Sequence, residues 1–217
     1  MRAENYGYIN SRSQTTRVPG KFRARKTALW GVEPRVRPSH FGLHAASAPS
    51  FIAFMRWVSL FHGIASILCM TVIAAAALWW YGEQEKLPTL MAIVPVGMLI
   101  NVAVKFAVRR DRPDWGYGLG TLETFSFPSG HTEGATLFYG AIVVWLWPRI
   151  HTAWMRVALL IAATSLVLVV AASRIVLGLH FLSDCVAAVL EALVWLSICL
   201  LGARPAVGSP VPVRREP

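Results

Sequence analysis

The chain has 217 residues, of which 55% are hydrophobic and 15% charged, and its mean hydropathy is +0.51. A composition this apolar excludes an ordinary water-soluble globule and indicates a membrane protein with room for one domain. The three cysteines lie in apolar stretches and make no disulfide framework, and the net charge of +10 is concentrated ahead of the first long apolar run.

Residues 1–55 are basic, contain proline and serine, and show no apolar periodicity. This pattern predicts a disordered N-terminal tail, whose charge suits anionic lipid headgroups, and no nucleic acid is expected as a partner. The pair Met55 and Arg56 leaves open a start of translation at Met55, which would remove most of the tail. Residues 203–217 are predicted to be a short C-terminal tail.

Five apolar segments of the intervening region, residues 56–202, read as membrane-spanning helices, because a span needs about 20 mainly apolar residues. They run approximately from Trp57 to Tyr81, Leu87 to Val104, Thr132 to Trp147, Trp154 to Ala172, and Leu179 to Leu201. The predicted fold class is therefore all-α, a multi-pass membrane bundle. If all five cross, the ends of the second and fourth segments and the starts of the third and fifth lie on one membrane face.

The first polar stretch at that face is KFAVRRDRP, at the end of the second segment. Lys105 and Arg112 are seven residues apart, so both cations project from one side if the helix continues. Arg109 and Arg110 fit a basic juxtamembrane cluster at least as well as a catalytic role.

The second stretch is PSGH, where Ser129, Gly130 and His131 open the third segment. The free N–H groups of a helix N-terminus attract anions, and a glycine there allows close approach. The predicted site therefore includes an anion cradle at the mouth of this helix.

The third stretch, SRIVLGLHFLSD, contains Arg174, His180 and Asp184. A spacing of four residues on a helix would place the Asp184 carboxylate beside the His180 imidazole. Such a carboxylate fixes the tautomer of the ring and stabilises positive charge on it, which favours His180 as a nucleophile.

Together these stretches predict a site for a tetrahedral, multiply charged oxyanion, for which phosphate is the obvious candidate. The cations and donors are Lys105, Arg112, Arg174, Ser129 and the Gly130 amide. One histidine can attack phosphorus while the other protonates the departing oxygen and then activates water.

The three stretches resemble the three signature motifs of the type-2 phosphatidic acid phosphatase superfamily. The resemblance implies metal-independent hydrolysis of a lipid phosphate or diphosphate through a phosphohistidine, with no cofactor. It assigns the nucleophile to His180, its orientation to Asp184 and the acid role to His131. Phosphate binding goes to Lys105, Arg112, Ser129, Gly130 and Arg174. Many members have six crossing helices, one more than the number predicted here.

Two other functions compete with this interpretation. Vanadium-dependent haloperoxidases have the same anion site, but they are soluble and much larger, so the apolar segments argue against that activity. A non-catalytic lipid-binding protein that retains the fold is the second, and the presence of His131, His180 and Asp184 together argues against it.

The sequence leaves three points open. Candidate substrates are phosphatidic acid, phosphatidylglycerol phosphate, a polyprenyl diphosphate and phosphorylated lipid A. If translation starts at Met55, Lys86, Arg149, Arg156 and the basic carboxyl terminus favour a bacterial inner-membrane location with the site facing outwards. The basic tail, if it is present, favours a site that faces the cytoplasm. Glu191 either forms a hydrogen bond between helices or lines the pocket.

Overall fold

The computed structural model describes residues 47–113 and 124–203. Six helices occupy these residues: α1 Pro49–Phe61, α2 Ile64–Trp80, α3 Gln84–Val108, α4 Gly130–Leu146, α5 Ala153–Val176 and α6 Leu182–Gly202. The predictions for residues 1–46 and 204–217 lie outside the described residues. The first helix begins at Pro49, within the predicted tail.

Proline and glycine residues explain where the first helices begin, bend and end. Pro49 occupies the first turn of α1, where its missing N–H costs no hydrogen bond. Gly63 separates α1 from α2, which are bent by 53° relative to each other. In α3, Pro95 lies within a π-helical turn, Ala92–Val96, because proline cannot donate to the preceding turn.

Three of these helices, α3, α5 and α6, are long and apolar enough to cross a membrane, and α1 with α2 makes a fourth if the bent pair forms one span. The predicted all-α membrane bundle is therefore confirmed. The first predicted segment is divided between α1 and α2, and the third is the 17-residue helix α4. That the first and third predicted segments cross the membrane stays a prediction.

Helix α4 is the centre of the bundle and packs against α2, α3, α5 and α6. Every residue from Thr132 to Phe138 is buried, and Leu137 lies in the same apolar core as Ile67 and Val94. Exposed aromatic side chains at Trp79, Trp80 and Trp154 are typical of the membrane–water interface.

The ends of α3 and α5 and the starts of α4 and α6 meet at one end of the bundle. The Ser129 N–H, at the start of α4, donates to the Asp184 carbonyl oxygen in α6 at 3.1 Å. The His180 N–H, before α6, donates to the Arg174 carbonyl oxygen in α5 at 3.3 Å. The three polar stretches therefore meet at one end of the bundle, and their position at one membrane face stays a prediction.

Candidate active site

The PSGH turn is fixed tightly at the mouth of α4. Ser129 is fully buried in an extended conformation, and its hydroxyl accepts a hydrogen bond from Thr132 Oγ1 at 3.1 Å. A Cβ atom at Gly130 would lie 3.3 Å from Asn101 Oδ1, so the backbone at this point has little room for a side chain.

Lys105 connects α3 to this turn. Its ammonium donates to the carbonyl oxygen of Pro128 at 2.5 Å and to that of Phe125 at 3.2 Å. The Lys105 charge therefore lies directly beside the start of α4, where the helix dipole also favours an anion.

Arg112 reaches the site from a loop, not from a helix. The helix α3 ends at Val108, and Arg109 follows in a left-handed conformation with φ 52°. The helix therefore does not continue to Arg112, so the two cations do not share one helical face as they would on a continuous helix. Arg112 Nη1 donates to the Leu179 carbonyl oxygen at 2.9 Å and lies 3.3 Å from His180 Nε2. Burial lowers the pKa of Arg112.

His180 lies in the turn between α5 and α6 and is 3% exposed. Its Nδ1 lies 3.4 Å from Asp184 Oδ2, which is ion-pair distance, without the alignment of a hydrogen bond. Burial lowers the pKa of His180 to about 4, so the ring is neutral at pH 7. Asp184 is fully buried in the first turn of α6, where its Oδ2 accepts the Phe181 N–H at 3.0 Å.

Sequence reasoning left the role of Arg110 open, and the structure places it against Asp184. Arg110 Nη1 donates to Asp184 Oδ1 at 2.7 Å and to Ser183 Oγ at 2.8 Å. Its guanidinium also lies 4.3 Å from the centre of the Phe181 ring. Thus one oxygen of Asp184 faces Arg110 and the other faces His180.

Arg174, at the end of α5, is 3% exposed and donates from Nη1 to Ser59 Oγ in α1. Its Nε has no hydrogen-bond partner among the described residues. Ser59 was not predicted from the sequence, because α1 carries no polar motif that would associate it with the site.

His131 lies in the first turn of α4 and faces the break between α1 and α2. A Cβ atom at Gly63 would lie 3.9 Å from His131 Nε2. The charges of Arg174 and Arg112 are close enough to act electrostatically on the ring.

The structure thus brings all eight predicted residues to one end of the bundle. They are Lys105, Arg112, Ser129, Gly130, His131, Arg174, His180 and Asp184. Buried and half-buried cations beside a neutral imidazole can bind an oxyanion and stabilise charge as it develops on that anion.

Two carboxyl groups lie deeper in the bundle than this site. Glu191 Oε2 accepts a hydrogen bond from Asn101 Nδ2 at 3.4 Å. Of the two expectations for Glu191, this is the hydrogen bond between helices. Glu133 is 1% exposed, and neither of its carboxyl oxygens has a partner among the described residues. Sequence reasoning missed Glu133, although a carboxyl two positions after His131 in an apolar helix is a detectable signal.

A cavity of about 370 Å³ lies at the other end of the bundle, lined by residues such as Leu78, Lys86 and Trp145. Its lining includes none of the eight predicted residues. Among residues 47–113 and 124–203, no three histidine, cysteine, aspartate or glutamate side chains group as metal ligands would.

A protein-family comparison decides the classification, because the model of the PAP2 superfamily matches residues 85–206. This chain belongs to the PAP2 superfamily. The match includes all eight predicted residues, and the family resemblance inferred from the three motifs is confirmed.

Individual PAP2 relatives are similar over part or most of the chain. Phosphatidylglycerophosphatase B of Bacillus subtilis (strain 168) is 30% identical over 120 residues, which cover 54% of this chain and 58% of the relative. The chain thus spans less than two thirds of that relative's length.

Two solved structures have a similar fold. A transmembrane PAP2 type phosphatidylglycerolphosphate phosphatase from Bacillus subtilis has a TM-score of 0.66 and 24% identity, over 75% of this chain and 83% of the other. Aquifex aeolicus LpxE has a TM-score of 0.54 and 17% identity, over 74% and 92%. At these identities the similarity describes the fold of the membrane domain.

Proposed function

We propose that this PAP2 protein is a membrane phosphatase that hydrolyses a lipid phosphate monoester or diphosphate through a phosphohistidine, without a metal ion. The observation that carries the proposal is the position of His180 between Arg112 and Asp184. Arginine has no hydrogen-bond acceptor, so at 3.3 Å from Arg112 Nη1 the Nε2 atom is the acceptor. The ring proton is then on Nδ1, facing Asp184, and the Nε2 lone pair points into the cationic site.

In the first half of the reaction, His180 Nε2 attacks phosphorus and the bond to the lipid oxygen breaks. His131 donates a proton to that oxygen, so the lipid leaves as an alcohol. Lys105, Arg112 and Arg174 stabilise the charge on the phosphoryl oxygens, together with the Ser129 hydroxyl and the Gly130 amide.

In the second half, a water molecule attacks the phosphorus of phosphohistidine. His131, now neutral, accepts a proton from the water, and the bond from phosphorus to Nε2 breaks. Inorganic phosphate is released, and both histidines return to their starting states. Asp184 holds the His180 ring and stabilises its positive charge in both halves.

The names of the relatives support a lipid phosphate as substrate, and phosphatidylglycerol phosphate is the first lipid to test. The test is phosphate release by detergent-purified protein in EDTA from the four candidate lipids, with His180→Ala in parallel. Metal-independent release that His180→Ala abolishes while folding is retained supports the proposal. His151→Ala is a matched control, because His151 is an exposed histidine remote from the site.

A folded wild-type protein that releases phosphate from none of these lipids would favour the alternative, a lipid-binding protein that retains the fold. A phosphoryl group trapped by acid-free quenching and found on histidine would identify the intermediate. If the wild type were active and the label lay on another residue, the phosphohistidine route would be wrong.

The protein is an integral membrane protein, and we propose that its site faces the outer side of a bacterial inner membrane. Lys86, Arg149 and Arg156 lie at the end of the bundle opposite His180, and positive residues favour the cytoplasm. A reporter fused at the carboxyl terminus, after α6, tests this orientation. Cytoplasmic reporter activity supports it, and external activity contradicts it.

A further inference from the structure

A cavity of about 410 Å³ opens beside the candidate active site, between α1 and the turn that joins α5 to α6. Its lining comprises Arg56, Ser59, Leu60, Leu177 and Leu179. Arg56, Ser59 and Leu60 lie outside the three motifs that carry the proposed reaction. Leu177 and Leu179 lie within the third motif, but they have no assigned role.

Two of the lining residues touch the phosphate-binding arginines directly. Ser59 accepts a hydrogen bond from Arg174, and the Leu179 carbonyl oxygen accepts one from Arg112 at 2.9 Å. The cavity therefore borders the bonding partners of Arg112 and Arg174, the two arginines that are proposed to bind the scissile phosphate. A group attached to that phosphate would have the cavity as its neighbour.

Arg56 supplies the charge of this cavity. It is exposed, lies one helical turn before Ser59 on the same face of α1, and has no hydrogen bond or ion pair with any residue that the structure describes. A guanidinium without a side-chain partner among the described residues, at the rim of an open cavity, suits a second oxyanion, since its fork can bind two oxygens of one phosphate.

Apolar surface on the same helix completes the arrangement. Phe54, Trp57 and Leu60 in α1 are exposed, so the helix offers hydrocarbon contact next to the charge of Arg56. An amphiphile with an anionic headgroup and acyl chains presents the complementary combination.

We propose that Arg56 forms a subsite for a second phosphate group of the substrate, next to the one that is hydrolysed. This proposal rests on the proposed function. The PAP2 protein would then prefer lipids with two phosphoryl groups over lipids with one. Phosphatidylglycerol phosphate carries the second group as a phosphodiester across a glycerol linker, and a polyprenyl diphosphate carries it directly bonded. Phosphatidic acid lacks it.

The experiment measures kcat/KM of wild type, Arg56→Gln and Arg56→Lys in mixed micelles for these three lipids. We expect Arg56→Gln to lower kcat/KM by about tenfold for a lipid with two phosphates, as the loss of one charge-assisted hydrogen bond implies, and by less than about twofold for phosphatidic acid. Arg56→Lys, which keeps the charge without the fork, is expected to retain part of the preference. A loss for only one of the two-phosphate lipids identifies which spacing the subsite fits.

Arg109→Gln is the matched control, because Arg109 is another exposed arginine at the same end of the bundle, and its Nε donates to the Phe106 carbonyl oxygen. An equal loss for all three lipids in Arg56→Gln, or the same loss in both variants, would mean general attraction to an anionic surface and would overturn the subsite. Unchanged ratios between lipids would overturn it too. If the wild type hydrolysed none of the lipids, the proposed function would fail first and the subsite with it.

Discussion

Arg112 Nη1 lies 3.3 Å from His180 Nε2 and 2.9 Å from the carbonyl oxygen of Leu179. The other nitrogens of this guanidinium are held by Thr124, with Nε 2.7 Å from its carbonyl oxygen and Nη2 3.0 Å from its hydroxyl. Arg112 therefore lies directly against the atom that we propose as the nucleophile. A bound phosphate would take the bond that Nη1 now makes to Nε2.

The first prediction concerns this guanidinium. Arg112→Lys keeps one charge but cannot contact Thr124, Leu179 and a phosphate together, so we expect kcat to fall about 10²- to 10³-fold, as for the loss of a transition-state donor. Thr124→Val removes only one anchoring bond and is expected to cost less than about tenfold. Steady-state kinetics that gave Arg112→Lys full activity would contradict the role of the fork.

The second prediction is that Arg110 positions Asp184. Arg110→Gln removes the 2.7 Å bond to Asp184 Oδ1, so the carboxylate is freer to turn away from His180. We expect kcat to fall about tenfold with KM little changed, because Arg110 is not one of the proposed phosphate ligands. Arg109→Gln is the control, and Arg110→Lys is expected to recover part of the loss. A rise in KM as large as the expected fall in kcat would instead assign Arg110 to substrate binding.

The candidate site was predictable because each motif places charged or polar residues where an apolar segment begins or ends. Such groups are costly near a membrane, so Lys105, His131 and Asp184 are conspicuous in the sequence. Arg110 was not resolved from the surrounding basic cluster, since spacing along the chain does not show which arginine turns towards Asp184. Ser59 carries no signal at all, because its contact to Arg174 depends on how α1 packs.

The helices were less predictable than the site. The first predicted segment reads as one apolar run, and a single glycine at position 63 gives little indication of a 53° bend. Pro95 was compatible with a straight helix or a kinked one, and the choice of a π-helical turn depends on packing around α3. The class of fold follows from composition, whereas these details follow from tertiary contacts.

The third prediction uses the buried state of His180. Its pKa in the folded protein is about 4, below the usual 6.5, because burial disfavours the charged ring. Between these two values the unfolded chain binds a proton that the folded protein does not, so the free energy of unfolding decreases as pH falls from 6.5 to 4. Above pH 6.5 this contribution to stability is fully present.

The measurement is the thermal midpoint in detergent across that range. We expect wild type and His151→Asn to lose more stability between pH 6.5 and 4.5 than His180→Asn does. Parallel curves for all three proteins would contradict a neutral, buried His180.

The fourth prediction concerns Glu133, whose two carboxyl oxygens are buried without a partner among the described residues. Replacing an unsatisfied buried polar group by an apolar one of similar volume removes the desolvation cost of that group, and such changes are often neutral or stabilising. We expect Glu133→Leu to raise the thermal midpoint by about 2–4 °C. Glu191→Gln is expected to leave the midpoint unchanged, because a glutamine oxygen can still accept from Asn101. A lower midpoint in Glu133→Leu would indicate that its carboxyl has a partner, such as an internal water.

The fifth prediction separates stability from activity at the opposite end of the bundle. Glu83 accepts the Trp145 indole N–H at 2.6 Å and pairs with Lys86 at 3.1 Å and with Arg149. These bonds connect the loop after α2 to the end of α4. The Trp145 hydrogen bond lowers the pKa of Glu83, so its contribution to stability is present above the unfolded value of 4.5 and is lost as pH falls below it.

Glu83→Ala is therefore expected to lower the thermal midpoint at pH 7 by about 2 °C, and by less at pH 4, with kcat/KM within about twofold of wild type. Glu85→Ala, a change at an exposed neighbouring carboxylate, is expected to alter neither quantity. Thermal unfolding at the two pH values, together with phosphate release, checks both parts. In the part of the chain that the structure describes, Glu83, Lys86, Trp145 and Arg149 have no hydrogen bond or ion pair with His180 or its neighbouring cations. A loss of activity in Glu83→Ala at unchanged stability would therefore mean that this end of the bundle is coupled to the site.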